Sequence, residues 1–319
     1  MRKGRVVITG VAGFIGSNLA ERLLAEGYSV TGIDNLAYGV REQVPGAVEF
    51  HDVDIRARGL ERFVRNADAI FHLAAKNCIS DCQIDPVETA DINVTGTVNV
   101  LDAARTAGVR RVICAESSAL YEGSEVLPTP ETEEAPRSHY ALSKQAARVF
   151  AEGFARDHSL ELTALRYFCV YGPRQDYRRT IPPVMSAFII HLLGGTRPTI
   201  YGDGSKRRDF VYVDDVNDFH VQCLTDSRTI GRVFNLGTGV SYSVREIFDR
   251  IQALIGTSVE PHFKPDLPGE AYETRGDIAA ARSIGWNPRV DLDAGLQRSI
   301  GYIREKVIGT NPASAASAA

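Results

Sequence analysis

The sequence predicts an α/β fold, a doubly wound parallel sheet with a smaller C-terminal lobe. Three observations carry this. Short β-branched runs alternate with longer helical patterns through the first half of the chain. A glycine-rich turn separates the first such run from the first helical pattern. After Gly172-Pro173 turn signals become dense, as at Pro182-Pro183, Gly194-Gly195 and Gly202-Asp203-Gly204, and the strand–helix rhythm is lost. The expected division is a first lobe over residues 1–168 and a second mainly over 169–310, with some segments returning to the first. Residues 311–319, rich in Ala and Ser, read as a disordered tail.

Val6 to Ile8 reads as strand one and Phe14 to Glu26 as an amphipathic helix, with strand two at Ser29 to Ile33. Strands three and four are expected at Val48 to His51 and Ala69 to Leu73. A long helix at Pro86 to Ala107 precedes a strand at Arg111 to Ala115. A second helix at Tyr140 to Asp157 leads into a strand at Leu162 to Tyr167.

Composition narrows the function classes. A chain of 319 residues can bury a substantial core, and its 44% hydrophobic and 24% charged residues are ordinary globular values. A formal net charge of -4 offers no footprint for nucleic acid or an anionic membrane surface. The five cysteines, Cys78, Cys82, Cys114, Cys169 and Cys223, form neither a C-x-x-C pair nor a zinc-spaced array, so no metal is expected. They read as thiols of a reducing compartment. The apolar stretch after Met1-Arg-Lys-Gly-Arg is too short for a secretory signal, and no run approaches the roughly 20 apolar residues of a membrane span. A soluble, cytoplasmic protein is expected.

Gly10-Val-Ala-Gly13-Phe14-Ile15-Gly16 sits between strand one and a helix. Glycines there allow a tight turn, close approach of backbone to a pyrophosphate, and helix–sheet packing, while the helix N-terminus presents free N–H groups to the phosphates. Asp34 ends strand two about twenty residues on, where a carboxylate accepts bonds from ribose hydroxyls and repels a 2′-phosphate. These features describe a Rossmann-type lobe that binds NAD in preference to NADP.

The G-x-x-G-x-x-G spacing resembles the extended short-chain dehydrogenase/reductase family, specifically its nucleotide-sugar epimerase and dehydratase branch. The likeness runs in order from Val6 to about Pro288. It implies that Asp34-Asn35 binds ribose, that Asp54-Ile55 contacts adenine, and that Leu73-Ala74-Ala75 forms the cofactor wall. Asn93 matches the family's Asn-x-x-Gly-Thr element.

Tyr140 and Lys144 stand at i and i+4, on one face of a helix. A free tyrosine titrates near ~10 and is a poor base at neutral pH. A lysine ammonium and a cationic nicotinamide are expected to favour the phenolate. Ser117, four residues before Tyr121, resembles the family's catalytic hydroxyl, which would hold the reacting sugar oxygen against Tyr140. Ser118 is its rival, and the Tyr121-Glu122-Gly123 sequence departs from the family's Tyr-Gly. The implied reaction oxidises a sugar, usually at C4, and reduces the 4-keto sugar on its other face, NAD being regenerated each cycle.

Tyr201 to Asp214 resembles the family's Gly-Asp-Gly…Arg-Asp-Phe element, in which Arg208 lies against the nucleotide diphosphate. Arg275 is a second candidate for the phosphates or ribose. Cys169 stands where relatives carry Asn or Thr in the sugar pocket, and Tyr201, Ser117, Ser118 and Tyr140 complete the expected substrate contacts. The reading is an NAD-dependent C4 epimerase of a nucleotide-diphosphate sugar: a UDP-hexose, UDP-N-acetylhexosamine or UDP-hexuronate. The alternatives are a 4,6-dehydratase or a decarboxylase of the same branch. Dehydratases generally place a carboxylate after the catalytic hydroxyl, and here those positions are Ser118 and Ala119. The resemblance also implies a homodimer paired through the helices Pro86 to Ala107 and Tyr140 to Asp157.

Overall fold

A computed structural model describes residues 3–179, 181–266 and 270–309; the expected tail at 311–319 lies outside the described residues. The first-half strands are β1 Arg5–Thr9, β2 Ser29–Asp34, β3 Glu49–Asp52, β4 Ala69–His72, β5 Arg111–Ser117 and β6 Glu161–Tyr167. Then come β7 Cys169–Tyr171, β8 Thr199–Tyr201, β9 Arg207–Tyr212, β10 Arg232–Leu236, β11 Ser241–Ser243, β12 His262–Lys264 and β13 Glu273–Thr274. Among the described residues, a seven-stranded sheet has the order β10-β6-β5-β4-β1-β2-β3, every neighbouring pair parallel. Val6, Val7 and Ile8 are fully buried, as a parallel strand covered on both faces requires.

Strand order reverses between β1 and β4, and a crevice opens there beyond their carboxyl ends. The helix Phe14–Ala25 follows β1 and buries Gly16, Leu19, Ala20 and Leu23 at helical spacing. These residues share one core with Val216, Phe219, Phe234 and Trp286. The helix Val213–Thr225 and strand β10 therefore belong physically with the first sheet. The strand–helix rhythm thus does not end at Gly172, contrary to the sequence expectation: β9, that helix and β10 resume it. The polar opening of β9, Arg207-Arg208-Asp209, concealed a strand whose next residues, Phe210 to Tyr212, are buried.

The helix expected at Pro86 to Ala107 is divided. Pro86–Ala90 passes through a π-helical turn, Asp91–Thr95, into Gly96–Ala107. Two packing demands meet at that turn. A Cβ at Gly96 would stand 2.5 Å from Ile55 Cδ1, and the Asn93 amide faces inward to bond Lys76.

A second core forms where Phe188, Phe248 and Leu296 bring together the helices Val184–Leu193, Val244–Ile255 and Leu292–Tyr302. Beside it a four-stranded sheet runs β11-β9-β13, with β7 also pairing β9. The β7–β9 pairing sets Cys169 opposite Phe210, and the β13–β9 pairing sets Thr274 opposite Arg208.

Candidate active site

The crevice is a single cavity whose floor is the loop after β1. Gly10 has φ +76°, and a Cβ there would stand 2.8 Å from the Ala74 backbone nitrogen. A Cβ at Gly16 would overlap the Gly10 carbonyl oxygen. The helix Phe14–Ala25 starts from Gly13 with no side-chain cap, so its first N–H groups have no side-chain acceptor. Gly10, Gly13, Phe14, Ile15 and Gly16 all line the cavity.

Asp34 is buried at its edge and accepts N–H bonds from Ala12 at 2.9 Å and Leu36 at 2.8 Å. Burial raises its pKa and the two backbone donors oppose the rise. Asn35, Asp54, Ile55, Leu73, Ala74 and Ala75 complete the lining on this side. Hydrogen bonds from Arg56, chiefly, and Asn35 hold the Asp54 carboxyl at about 2. Asn93 stands apart from the lining. Its amide oxygen accepts the Lys76 N–H at 2.8 Å and its nitrogen donates to the Ser143 hydroxyl at 2.9 Å, so it braces the wall from behind.

Tyr140 and Lys144 line the opposite wall, on the helix His139–His158. The Ser138 hydroxyl caps that helix by accepting the Ala141 N–H at 3.1 Å. Glu122 in turn accepts the Ser138 N–H at 2.8 Å and hydroxyl at 2.9 Å. Lys144 donates to the Ala115 carbonyl at 3.1 Å, tying the helix to β5. Ser117 ends β5, where its hydroxyl accepts the Ala119 N–H at 3.1 Å and favours the Tyr140 phenolate, and Ser118 opens the 3₁₀ segment Ser118–Tyr121.

Burial raises Tyr140 to about 12, and the Ser117 hydroxyl acts in the opposite direction. Sequence reasoning expected Lys144 to lower this value. In the protein alone, desolvation outweighs any such effect. Lys144 itself is lowered by burial, against the charge of Glu116.

Sequence reasoning missed what lies behind the pair. Glu116 and Arg166 are both buried and meet at 2.8 Å; Arg166 also pairs with Glu134, which Arg148 reaches at 2.7 Å. Arg148 comes within 3.9 Å of Glu116, closing a ring of alternating charge. The ring joins β5, β6, the Tyr140 helix and the loop at Glu134. Arg148 lies one helical turn beyond Lys144, a spacing legible in the sequence. Arg174, Asp176, Arg178 and Arg179 also line the cavity and were not anticipated.

The residues expected to meet the substrate divide. Tyr140 lines the cavity, while Cys169, Arg208 and Arg275 lie on or beside the four-stranded sheet and Tyr201 on the β8–β12 pair. Arg208 donates to the Ala271 carbonyl at 3.0 Å and stands 3.6 Å from Glu270. Arg275 lies 3.2 Å from Glu273. Burial pushes the Cys169 thiol up to about 11, and Arg208 opposes it. A thiol so protonated is not a nucleophile.

The glycine cradle, the inward Asp34 and the Tyr140–Lys144 pair together fit a dinucleotide. Among the described residues no His, Cys, Asp and Glu cluster could hold a metal, and no helix is long and apolar enough to cross a membrane.

A family model described as "NAD dependent epimerase/dehydratase family" matches residues 6–237. UDP-glucose 4-epimerase of Mycolicibacterium smegmatis is 38% identical over 312 residues, covering 95% of this chain and 99% of that protein. The crystal structure of UDP-glucose 4-epimerase from Thermotoga maritima with UDP-glucose superposes with a TM-score of 0.92 at 33% identity, covering 95% of this chain and 99% of the other. That of the Thermus thermophilus UDP-glucose 4-epimerase complex with NAD gives 0.87 at 33% identity, over 95% and 100%.

Proposed function

We propose, from the premise that this chain belongs to the NAD-dependent epimerase/dehydratase family, that it inverts C4 of a nucleotide-diphosphate sugar. The substrate class is a UDP-hexose, UDP-N-acetylhexosamine or UDP-hexuronate, and the intermediate a 4-keto sugar. One observation carries the choice of reaction. Tyr140 and Lys144 line one cavity whose carboxylates are all engaged, with Ser117 at the end of the adjoining strand β5. Asp34 accepts two backbone N–H groups, Asp54 pairs with Arg56, Glu116 with Arg166 and Asp176 with Arg178. Glu122, the remaining acid near the serine, is occupied at Ser138. Eliminating water across C5 and C6 needs an acid and a base, and this constellation offers neither beyond Tyr140.

NAD is the cofactor, and when bound it supplies the hydride acceptor and a positive charge. Gly10, Gly13 and Gly16 would receive its diphosphate and Asp34 its adenine ribose. Tyr140 takes the C4 hydroxyl proton, with the Ser117 hydroxyl holding that oxygen in line. Lys144 favours the phenolate and steadies the nicotinamide ribose. Arg208, released from Ala271 and Glu270, would pair with the nucleotide diphosphate, with Arg275, Cys169 and Tyr201 near the sugar.

The enzyme is further read as a cytoplasmic homodimer. Five free thiols support the compartment. Exposed Leu142, Val149 and Phe150 on the Tyr140 helix, with Val87 near its neighbour, support the pairing. Sedimentation as a monomer at micromolar concentration would refute it. Screening UDP-, GDP-, CDP- and dTDP-sugars for interconversion tests the main reading. A substrate-mass epimer from at least one supports it; a panel yielding only products lighter by water or carbon dioxide overturns it.

A further inference from the structure

Arg174, on the cavity wall, has a guanidinium that is only half answered among the described residues. Its Nη2 pairs with Glu21 at 2.6 Å, on the helix that opens at the glycine loop. Its Nη1 is shut away from solvent and has no acceptor among the described residues. A buried guanidinium N–H without a partner costs free energy, which a turn of the side chain toward an anionic acceptor in the cavity would relieve. The residue lines the cavity together with Gly13, Phe14 and Gly16, the loop suited to phosphate.

The backbone that presents it is held in an unfavourable shape. Arg174 has φ +69°, in the left-handed region that a side chain other than Gly or Asn seldom adopts. Its neighbours are fixed on both sides. Asn18 donates to the Pro173 carbonyl at 3.0 Å, and the Gln175 amide donates to the Val170 carbonyl at 2.9 Å. Asn18 lies one turn into the same helix, so the segment is anchored to the element whose N-terminus faces the phosphates. Glu21, by contrast, is mostly exposed at 62%, and an ion pair so open to solvent gains little.

We propose that Arg174 is a cofactor-diphosphate ligand, a guanidinium reaching from the second half of the chain to the NAD pyrophosphate opposite the glycine loop. A charge-assisted bond from one side and helix N–H groups from the other would enclose the diphosphate. Such a contact retains NAD between turnovers, which a reaction that regenerates its cofactor requires.

The test compares ligands with and without phosphate on protein stripped of nucleotide. Arg174→Ala is expected to bind NAD and ADP about ten- to hundredfold more weakly by calorimetry, to leave adenosine affinity unchanged, and to emerge from purification with less NAD. Glu21→Gln, which frees the guanidinium, is expected to bind NAD at least as tightly as the parent. Unchanged NAD and ADP affinity in Arg174→Ala would assign the guanidinium to Glu21 alone. Equal weakening of adenosine, or a Glu21→Gln variant as weak as Arg174→Ala, would mean that the pair merely holds the loop; either overturns the proposal.

Discussion

Glu122 accepts both the backbone N–H and the hydroxyl of Ser138, at 2.8 and 2.9 Å, and so fixes the cap two residues ahead of Tyr140. The residue that interrupts the family's Tyr-Gly sequence is thereby a support for the Tyr140 helix. Hydrogen bonding to a charged acceptor contributes about 1.5–3 kcal/mol. Glu122→Ala is therefore expected to lower stability by that amount and kcat with it, while Glu122→Gln keeps an acceptor and loses less. Urea unfolding and steady-state rates of the two variants check this. Equal, near-parental stability in both would deny Glu122 the role.

The Tyr140–Ser117 contact yields a second expectation. Tyr140→Phe removes only the ionisable oxygen, so NAD binding should persist while turnover falls about 100- to 10,000-fold. Ser117→Ala should lower kcat substantially and Ser118→Ala little, because Ser117 ends β5 and favours the Tyr140 phenolate, whereas Ser118 belongs to the following 3₁₀ segment. Kinetics of the three variants decide it. A larger loss in Ser118→Ala would exchange the two serines.

Asp34→Ala should weaken NAD binding and narrow the preference over NADP. The buried carboxylate that repels a 2′-phosphate would be gone, along with its bonds to Ala12 and Leu36. Affinities for both cofactors measure this, and a parent enzyme that already favours NADP would contradict it.

How far the sequence discloses this site depends on whether a residue acts through local spacing or through distant partners. Gly10 to Gly16, Asp34, Tyr140 and Lys144 are legible because a tight turn, a strand end and one helix face each leave a local pattern. The central strands β1 to β6 are legible for the same reason. Asn93 shows the limit: its motif was readable, but its partners, Lys76 and Ser143, are 17 and 50 residues away. Glu116, Glu134 and Arg166 are still less legible, since their ring is made by β5 and β6 lying side by side. The strand character of Arg207–Tyr212 was hidden because its first residues read as a phosphate motif. Arg174 is not legible at all, since nothing local marks an unpaired guanidinium.

Acid stability gives a fourth prediction. His72 is buried between the Thr9 and Thr97 hydroxyls at 2.8 and 2.9 Å, and burial, aided by Lys144, holds it at about 3. The unfolded chain protonates this histidine near ~6.5, whereas the native state does not until about pH 3. Its contribution is thus present above that unfolded value and lost as pH falls toward 3. The loss approaches about 1.4 kcal/mol per pH unit. Urea titrations between these limits should show a shallower decline for His72→Gln than for the parent. Parallel curves would show that His72 is protonated in the folded state.

The most direct test of the central claim follows a hydrogen. A nucleotide sugar deuterated at C4, chosen from those the enzyme interconverts, is turned over in ordinary water, and the product is examined by mass spectrometry and NMR. If the hydride leaves C4 and returns to C4 on the opposite face within one cavity, the epimer keeps the substrate's mass and carries its deuterium at C4. A product lighter by one water with deuterium at C6, or an epimer that has exchanged its deuterium for solvent hydrogen, would contradict the account.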